Sequence, residues 1–154
     1  MALNRRGTLG LAAAMLAAGL LLGSAAQAQG DSALPPVQKS GVVEYLSGGI
    51  GLDESTAIKS ASRQWPLSLV FSVQAAGKAE FASDVKLTIR DAKGAQVLET
   101  TASGPFLLAK LPPGSYSLHA TLAGKTLERK VQVKAGSSAR VELVWPAGTN
   151  PGRP

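Results

Sequence analysis

Apolar and polar residues alternate with a period of two through most of the chain after residue 66. In the first run, Leu67, Leu69, Phe71 and Val73 occupy alternate positions, which places their side chains on one face of a strand. The same alternation returns at residues 85–89, 95–101, 116–122, 127–133 and 141–145. Turn residues such as Gly, Pro and Asp separate these runs. This pattern predicts an antiparallel β-sandwich or barrel of about seven strands with one short N-terminal helix, and we take the sandwich as the prediction.

The inward faces of these strands give the predicted core. Its members are Leu69, Phe71, Leu87, Ile89, Leu118, Val131 and Leu143.

A different pattern precedes the sandwich. Residues 42–46 are β-prone, and residues 54–64 carry apolar side chains at helical spacing until Pro66 forbids a continuation. Asp53 and Ser55 are suited to cap this helix. We therefore expect a strand, a glycine-rich loop and a short helix within residues 42–65.

The first 28 residues have the three parts of a secretory signal peptide. Arg5 and Arg6 form a basic head, an apolar stretch of about 14 residues follows, and the segment ends in Ala26-Gln27-Ala28. A membrane-spanning helix needs roughly 20 apolar residues, so cleavage is favoured over a retained anchor. Signal peptidase would cut after Ala28 or, alternatively, after Ala26. The mature protein is predicted to be periplasmic or secreted, without stable membrane insertion.

The chain is thus divided into five predicted parts. They are a signal peptide (1–28), a flexible leader (29–41), the strand–loop–helix segment (42–65), the β-sandwich (66–146) and a flexible tail (147–154).

Charge and composition exclude several classes of function. The net charge is +6 for the whole chain, and it falls to +4 when Arg5 and Arg6 leave with the signal. The remaining basic residues are scattered, which argues against nucleic acid as a partner. The chain has no Cys and a single His, and both methionines lie in the predicted signal. Copper and zinc sites are built from those side chains, so we predict neither. Asp53 and Glu54 could suggest a calcium site, but their spacing matches no calcium-binding loop, so we predict no metal and no cofactor.

Residues 104–120 contain the run Leu111-Pro112-Pro113-Gly114-Ser115-Tyr116, followed by alternating apolar residues, and Asp91-Ala92-Lys93-Gly94 forms a turn before it. This arrangement resembles carboxypeptidase regulatory-like domains, which have the transthyretin-like (prealbumin-like) sandwich fold. The resemblance covers about residues 66–145 and implies a fold rather than an activity. With the glycine-rich segment upstream, the chain is also similar to small exported proteobacterial proteins that carry this domain alone.

Physical chemistry accounts for that motif without any catalytic role. Pro113-Gly114 suits a type II turn. The Tyr116 ring can be buried while its hydroxyl bonds to nearby backbone.

Few side chains in this sequence could catalyse hydrolysis. His119 is the only side chain of its type, and its neighbours Leu118 and Ala120 predict that it projects from the polar face of a strand. No G-x-S-x-G motif surrounds any serine. Arg129 interrupts an apolar face and is predicted to reach solvent along its apolar stem. We therefore expect the protein not to be an enzyme.

Strand alternation and the turns of a sandwich do not account for the residues in and after the loop before the helix, and we predict these as the binding residues. They are Gly48, Gly49, Gly51, Asp53 and Glu54. Loops on rigid scaffolds often carry recognition, and glycines allow a partner to approach the backbone closely. The opposing interpretation is a tight turn in which Asp53 caps the helix and Glu54 favours its positive end. The sequence predicts a noncatalytic module that binds an envelope protein, peptide or glycan through this loop or an unpaired sheet edge. The alternative is a small periplasmic hydrolase with an unrecognised site.

Overall fold

The computed structural model describes residues 33–149, which form two β-sheets and one short helix. The helix α1 (Leu52–Ala61) continues into a single 3-10 turn at Ser62–Gln64. The strands are β1 (Gln38–Ser40), β2 (Val43–Gly48), β3 (Leu67–Ala75), β4 (Lys78–Phe81), β5 (Val85–Arg90), β6 (Gln96–Ala102), β7 (Phe106–Ala109), β8 (Gly114–Leu122), β9 (Lys125–Val133) and β10 (Ala139–Trp145).

The first sheet has the order β1-β2-β7-β3-β10, with β4 also paired to β3, and the second sheet has the order β6-β5-β8-β9. Their inner faces share one apolar core. Six of the seven predicted core residues are buried in it, and the seventh, Val131, is half-buried and packs against it. The predicted β-sandwich with one short helix is confirmed.

A second apolar cluster, the outer cluster, lies on the opposite face of the first sheet. Its members are Leu46, Ile58, Trp65, Val70, Phe106 and Leu108. Ile58 comes from α1, which therefore covers this face, while Leu34 packs against the cluster from the N-terminal side. The central strand β3 is consequently buried on both faces over Leu67–Val73.

The number of strands and one pairing differ from the prediction. The described residues contain ten strands instead of about seven. β1 lies within the segment predicted as a flexible leader and pairs with β2. β3 and β10 are parallel, so the sandwich is not wholly antiparallel.

The chain ends fall partly outside the described residues. The predicted signal peptide, residues 29–32 of the leader and residues 150–154 of the tail lie there. Within the described part of the tail, Thr149 is buried and its hydroxyl donates to the Pro146 carbonyl at 2.6 Å. No helix in residues 33–149 has the length and apolar character needed to span a bilayer.

Arg129 lies on β9, at one edge of the second sheet. Its side chain is exposed and Nη1 donates to the Glu128 carbonyl at 2.8 Å, which confirms that the head group reaches solvent. The pairing of β9 with β8 is unbroken, so a regular edge strand provides this exposure without a bulge.

Tyr116 is buried, and its hydroxyl donates to the Pro112 carbonyl at 2.6 Å, as predicted. The type II turn is wrong. Gly114 has a φ of 159° and begins β8, whereas that turn needs a φ near +80° at its third residue.

Burial, followed by the charge of Asp91, raises the pKa of Tyr116 above its ordinary value. A raised folded-state pKa contributes stability that is present below the unfolded pKa and is lost as pH rises through the folded value. Tyr116→Phe should lower the free energy of unfolding by about 1 kcal/mol at neutral pH, and this difference should shrink above the ordinary tyrosine pKa. Urea unfolding at neutral and alkaline pH tests this. An equal difference at both pH values would contradict it.

Candidate functional site

Two phenylalanines meet on the outer face of the first sheet. Because β10 pairs with β3 along Leu67–Val73, both β7 and β4 must lie along the other side of β3. Phe106 of β7 is opposite Val70, and Phe81 of β4 is opposite Ser72. The two rings are therefore neighbours, with centroids 5.2 Å apart and planes tilted by 56°.

The two rings differ in exposure. Phe106 belongs to the outer cluster and is 3% exposed, whereas Phe81 is 61% exposed. The buried ring thus supports an exposed one, and the apolar surface of the outer cluster continues to solvent at Phe81.

Helix α1 adds a cation to this surface. Lys59 places its Nζ 5.8 Å from the Phe81 centroid and 5.5 Å from the Phe106 centroid. Ammonium groups at such distances are attracted by the negative face of an aromatic ring. Lys59 forms none of the ion pairs found among residues 33–149, so its charge can meet an added carboxylate.

The glycines before α1 are packed against the same ring. Gly49 has a φ of 97°, and a Cβ there would overlap the ring of Phe106. A Cβ on Gly48 would overlap the carboxylate of Glu54 and crowd Pro35. Only glycine allows both the backbone conformation and the close packing at position 49.

Glu54, which is half-buried in the first turn of α1, holds the glycine loop in place. Its Oε1 accepts the N–H of Gly49 at 2.6 Å, so this carboxylate holds the loop against α1. The predicted cap at Asp53 is wrong, because the N-cap position is Gly51 and no side chain caps the helix. Ser55 also does not cap, since its hydroxyl donates to the Leu52 carbonyl at 3.0 Å.

The five predicted site residues therefore divide into two groups. Gly48, Gly49 and Glu54 pack together inside the loop, whereas Gly51 and Asp53 are exposed. The backbone amide of Gly49 already has a partner in Glu54 and is not available to an external one.

Sequence reasoning missed the apolar residues beside these glycines. Ile50 is 68% exposed and Leu52 is 80% exposed. Ile50 follows Gly49, which packs on Phe106, and Leu52 begins α1. Leu52 and Lys59 are seven positions apart on α1 and so share one face of the helix, and Lys59 lies over the Phe81 and Phe106 rings. We call the group of Ile50, Leu52, Lys59 and Phe81, with the buried Phe106, the aromatic patch. The sequence did contain a sign of this apolar surface, because two large aliphatic residues flank Gly51 in a loop that would be expected to be polar.

A second, polar surface lies on the outer face of the second sheet. Ser117 and His119 project from β8, and Glu128 of β9 is opposite His119, with Nδ1 and Oε1 3.1 Å apart. These side chains border two adjoining open depressions of about 470 and 240 Å³ that share Ser117 and Lys130. The predicted projection of His119 from the polar face is confirmed.

Nucleophilic attack by a serine uses a base within hydrogen-bond reach of its hydroxyl. Ser117 and His119 form no hydrogen bond with each other among the interactions of the described chain, and Glu128 is largely exposed to water. Within residues 33–149, no three His, Cys, Asp or Glu side chains come together as metal ligands would.

In comparisons with known proteins, no protein-family model and no curated protein matches the chain.

Proposed function

We propose that the chain is an exported, noncatalytic β-sandwich module that binds a protein or peptide of the cell envelope through the aromatic patch. The observation that carries this proposal is the exposed Phe81 ring against the buried Phe106, with Lys59 over both rings. Exposed Ile50 and Leu52 extend from the adjoining loop and from the helix that carries Lys59. Exposed apolar groups that adjoin one another mark interaction sites, whereas single ones are common on any surface.

The chemistry of the patch favours a polypeptide over a glycan or a small molecule. Ile50 and Leu52 offer only apolar surface without hydrogen-bond donors for sugar hydroxyls. Phe81 stands on a sheet surface rather than in an enclosed cavity of the kind that small ligands occupy. Aromatic and aliphatic anchors next to a cation are instead typical of protein interfaces.

The exported location rests on the sequence. The basic head, the short apolar stretch and Ala26-Gln27-Ala28 predict cleavage by signal peptidase. The resemblance to carboxypeptidase regulatory-like domains is consistent with a noncatalytic accessory role. Both statements belong to the proposal.

Substitution of one patch residue should separate binding from folding. Leu52→Asp places a negative charge on the helix face that carries Lys59 and should lower capture of envelope proteins by the immobilised mature chain by at least about tenfold. The amount of each bound polypeptide is measured by quantitative mass spectrometry.

Val42→Asp is the matched control, because Val42 is 97% exposed in the turn between β1 and β2. It should leave capture unchanged. The same captured proteins in the same amounts with Leu52→Asp and with the unsubstituted chain would contradict the proposed surface.

A hydrolase is the second candidate, and the observation that favours it is the common face of Ser117, His119 and Glu128. It ranks below the binding role because no hydrogen bond joins Ser117 to His119 and because the surface is open to water.

A further inference from the structure

The edge of β4 is free on one side. β4 pairs antiparallel with β3, and no other strand within residues 33–149 pairs with it. β2, which neighbours β7 in the sheet, ends at Gly48 opposite Phe106. No strand therefore continues the line of β2 alongside β4.

The direction of the free hydrogen-bonding groups follows from one bond. The N–H of Ala82 donates to the Phe71 carbonyl at 3.0 Å. In an antiparallel pair, successive residues alternate between bonding the partner strand and facing away from it. Lys78 and Glu80 therefore bond to β3, whereas the backbone N–H and C=O of Ala79 and Phe81 are directed at the free edge.

Exposed backbone groups of this kind are a template for another strand. Ala79 is exposed and small, so its side chain does not obstruct an incoming chain. Phe81 and its tilted contact with Phe106 lie at the same edge, and they provide an apolar surface for every second side chain of an added strand.

The charges beside the edge define the complementary sequence. Side chains alternate between the two faces of a strand, so Lys78 and Glu80 lie on the face opposite to that of Ala79 and Phe81. On the Phe81 face the charge is that of Lys59, whose Nζ lies above the ring. An extended segment that carries apolar residues and carboxylates in turn on this face would meet Phe81 and Lys59, whereas a basic segment would be repelled.

We infer that the free edge of β4 binds an extended segment of the protein partner as an added strand, in which apolar side chains pack on Phe81 and a carboxylate on the same face meets Lys59. This inference rests on the proposed function, because it specifies how the partner occupies the aromatic patch.

Peptide binding to the full mature chain tests it. The probe is an acetylated and amidated peptide of about eight residues, in which valine and aspartate alternate along one face and threonine occupies every position between them, long enough to pair with all of β4. On binding, hydrogen exchange at the amides of Ala79 and Phe81 should slow. Methylation of the backbone nitrogens of the valines, which removes their hydrogen-bond donors, should weaken binding by at least about tenfold.

Ala79→Pro is the matching change in the protein. It removes an N–H that faces the free edge and no hydrogen bond to β3, and proline is tolerated at such edge positions. Peptide affinity should fall by at least about tenfold, while Ala79→Thr, which keeps the N–H, should retain it. Circular dichroism confirms that both variants keep their β signal, and the methylated peptide gives the same test on the unsubstituted protein.

The contradicting outcomes separate the two proposals. Equal binding of the methylated and unmethylated peptides, or no slowing of exchange at Ala79 and Phe81, would overturn strand addition. If Leu52→Asp still abolished envelope capture, the proposed function would stand without it. Analytical ultracentrifugation measures whether the chain forms dimers. If it does, and if Ala79→Pro abolishes them, the strand added at β4 comes from a second copy of the chain, and the choice of a different protein as the occupant would be overturned.

Discussion

Replacing Phe71 with alanine should lower the free energy of unfolding by about 3–5 kcal/mol. Phe71 is fully buried in the core between the sheets, and its ring is 6.3 Å from that of Trp145. β3 is paired with strands on both sides, the core covers one of its faces, and the outer cluster covers the other. The surrounding chain therefore has little freedom to fill the cavity that the substitution leaves. A loss of this size approaches the whole stability of many small domains, about 5–15 kcal/mol.

Urea-induced unfolding of the mature protein measures this loss, and Val144→Ala provides the control. Val144 lies on β10, next to Trp145 along the chain, but its side chain faces outward and is 37% exposed. Its removal should cost well below the Phe71 value, about 1 kcal/mol or less. Similar losses for the two variants would show that the inner face of the sandwich had been assigned incorrectly.

The long strands could be predicted because their alternation survives in the sequence. β5 and β8 show it most clearly, with buried residues at every second position over much of their length. One face of each strand packs on the core and the other meets solvent, so burial and sequence share a period of two. Tyr116 was predictable for a similar reason, since its hydroxyl bond joins residues only four positions apart.

The strands that the alternation did not indicate are short or buried on both faces. β1 has three residues and β4 has four, too few for a period to emerge. All four residues of β7 are buried, because the core covers one of its faces and the outer cluster covers the other. Such a strand has no polar positions to mark its period.

The aromatic patch depends on contacts between distant parts of the sequence. Gly49 needs to be glycine because Phe106 lies against it, and nothing local to the loop indicates that ring. Phe81 and Phe106 become neighbours only because β4 and β7 follow one another along β3. The sequence indicated an unusual loop. It predicted the glycines and carboxylates of this loop as the binding residues, although several of them hold the loop together. The exposed apolar side chains beside them were not predicted.

The second large effect that we expect is the loss of a crosslink to a partner protein when Phe81 is replaced by alanine. A photoreactive p-benzoylphenylalanine at position 52 lies in the aromatic patch, and in living cells it should crosslink to one or a few discrete envelope proteins upon irradiation. The adduct should disappear when Phe81 is also replaced by alanine, because hot-spot anchors at the centre of an interface carry most of its binding energy. The double variant should remain folded, since Phe81 is 61% exposed.

The binding role of the aromatic patch is tested most directly by comparing this crosslinker at Leu52 with the same crosslinker at Val42. Val42 is more exposed and precedes β2 at the end opposite to Gly48 and the loop that enters the patch. A binding module predicts a discrete adduct from position 52 that depends on Phe81, and no such adduct from position 42. Equal adducts from both positions, or an adduct from position 52 that persists after Phe81→Ala, would contradict it.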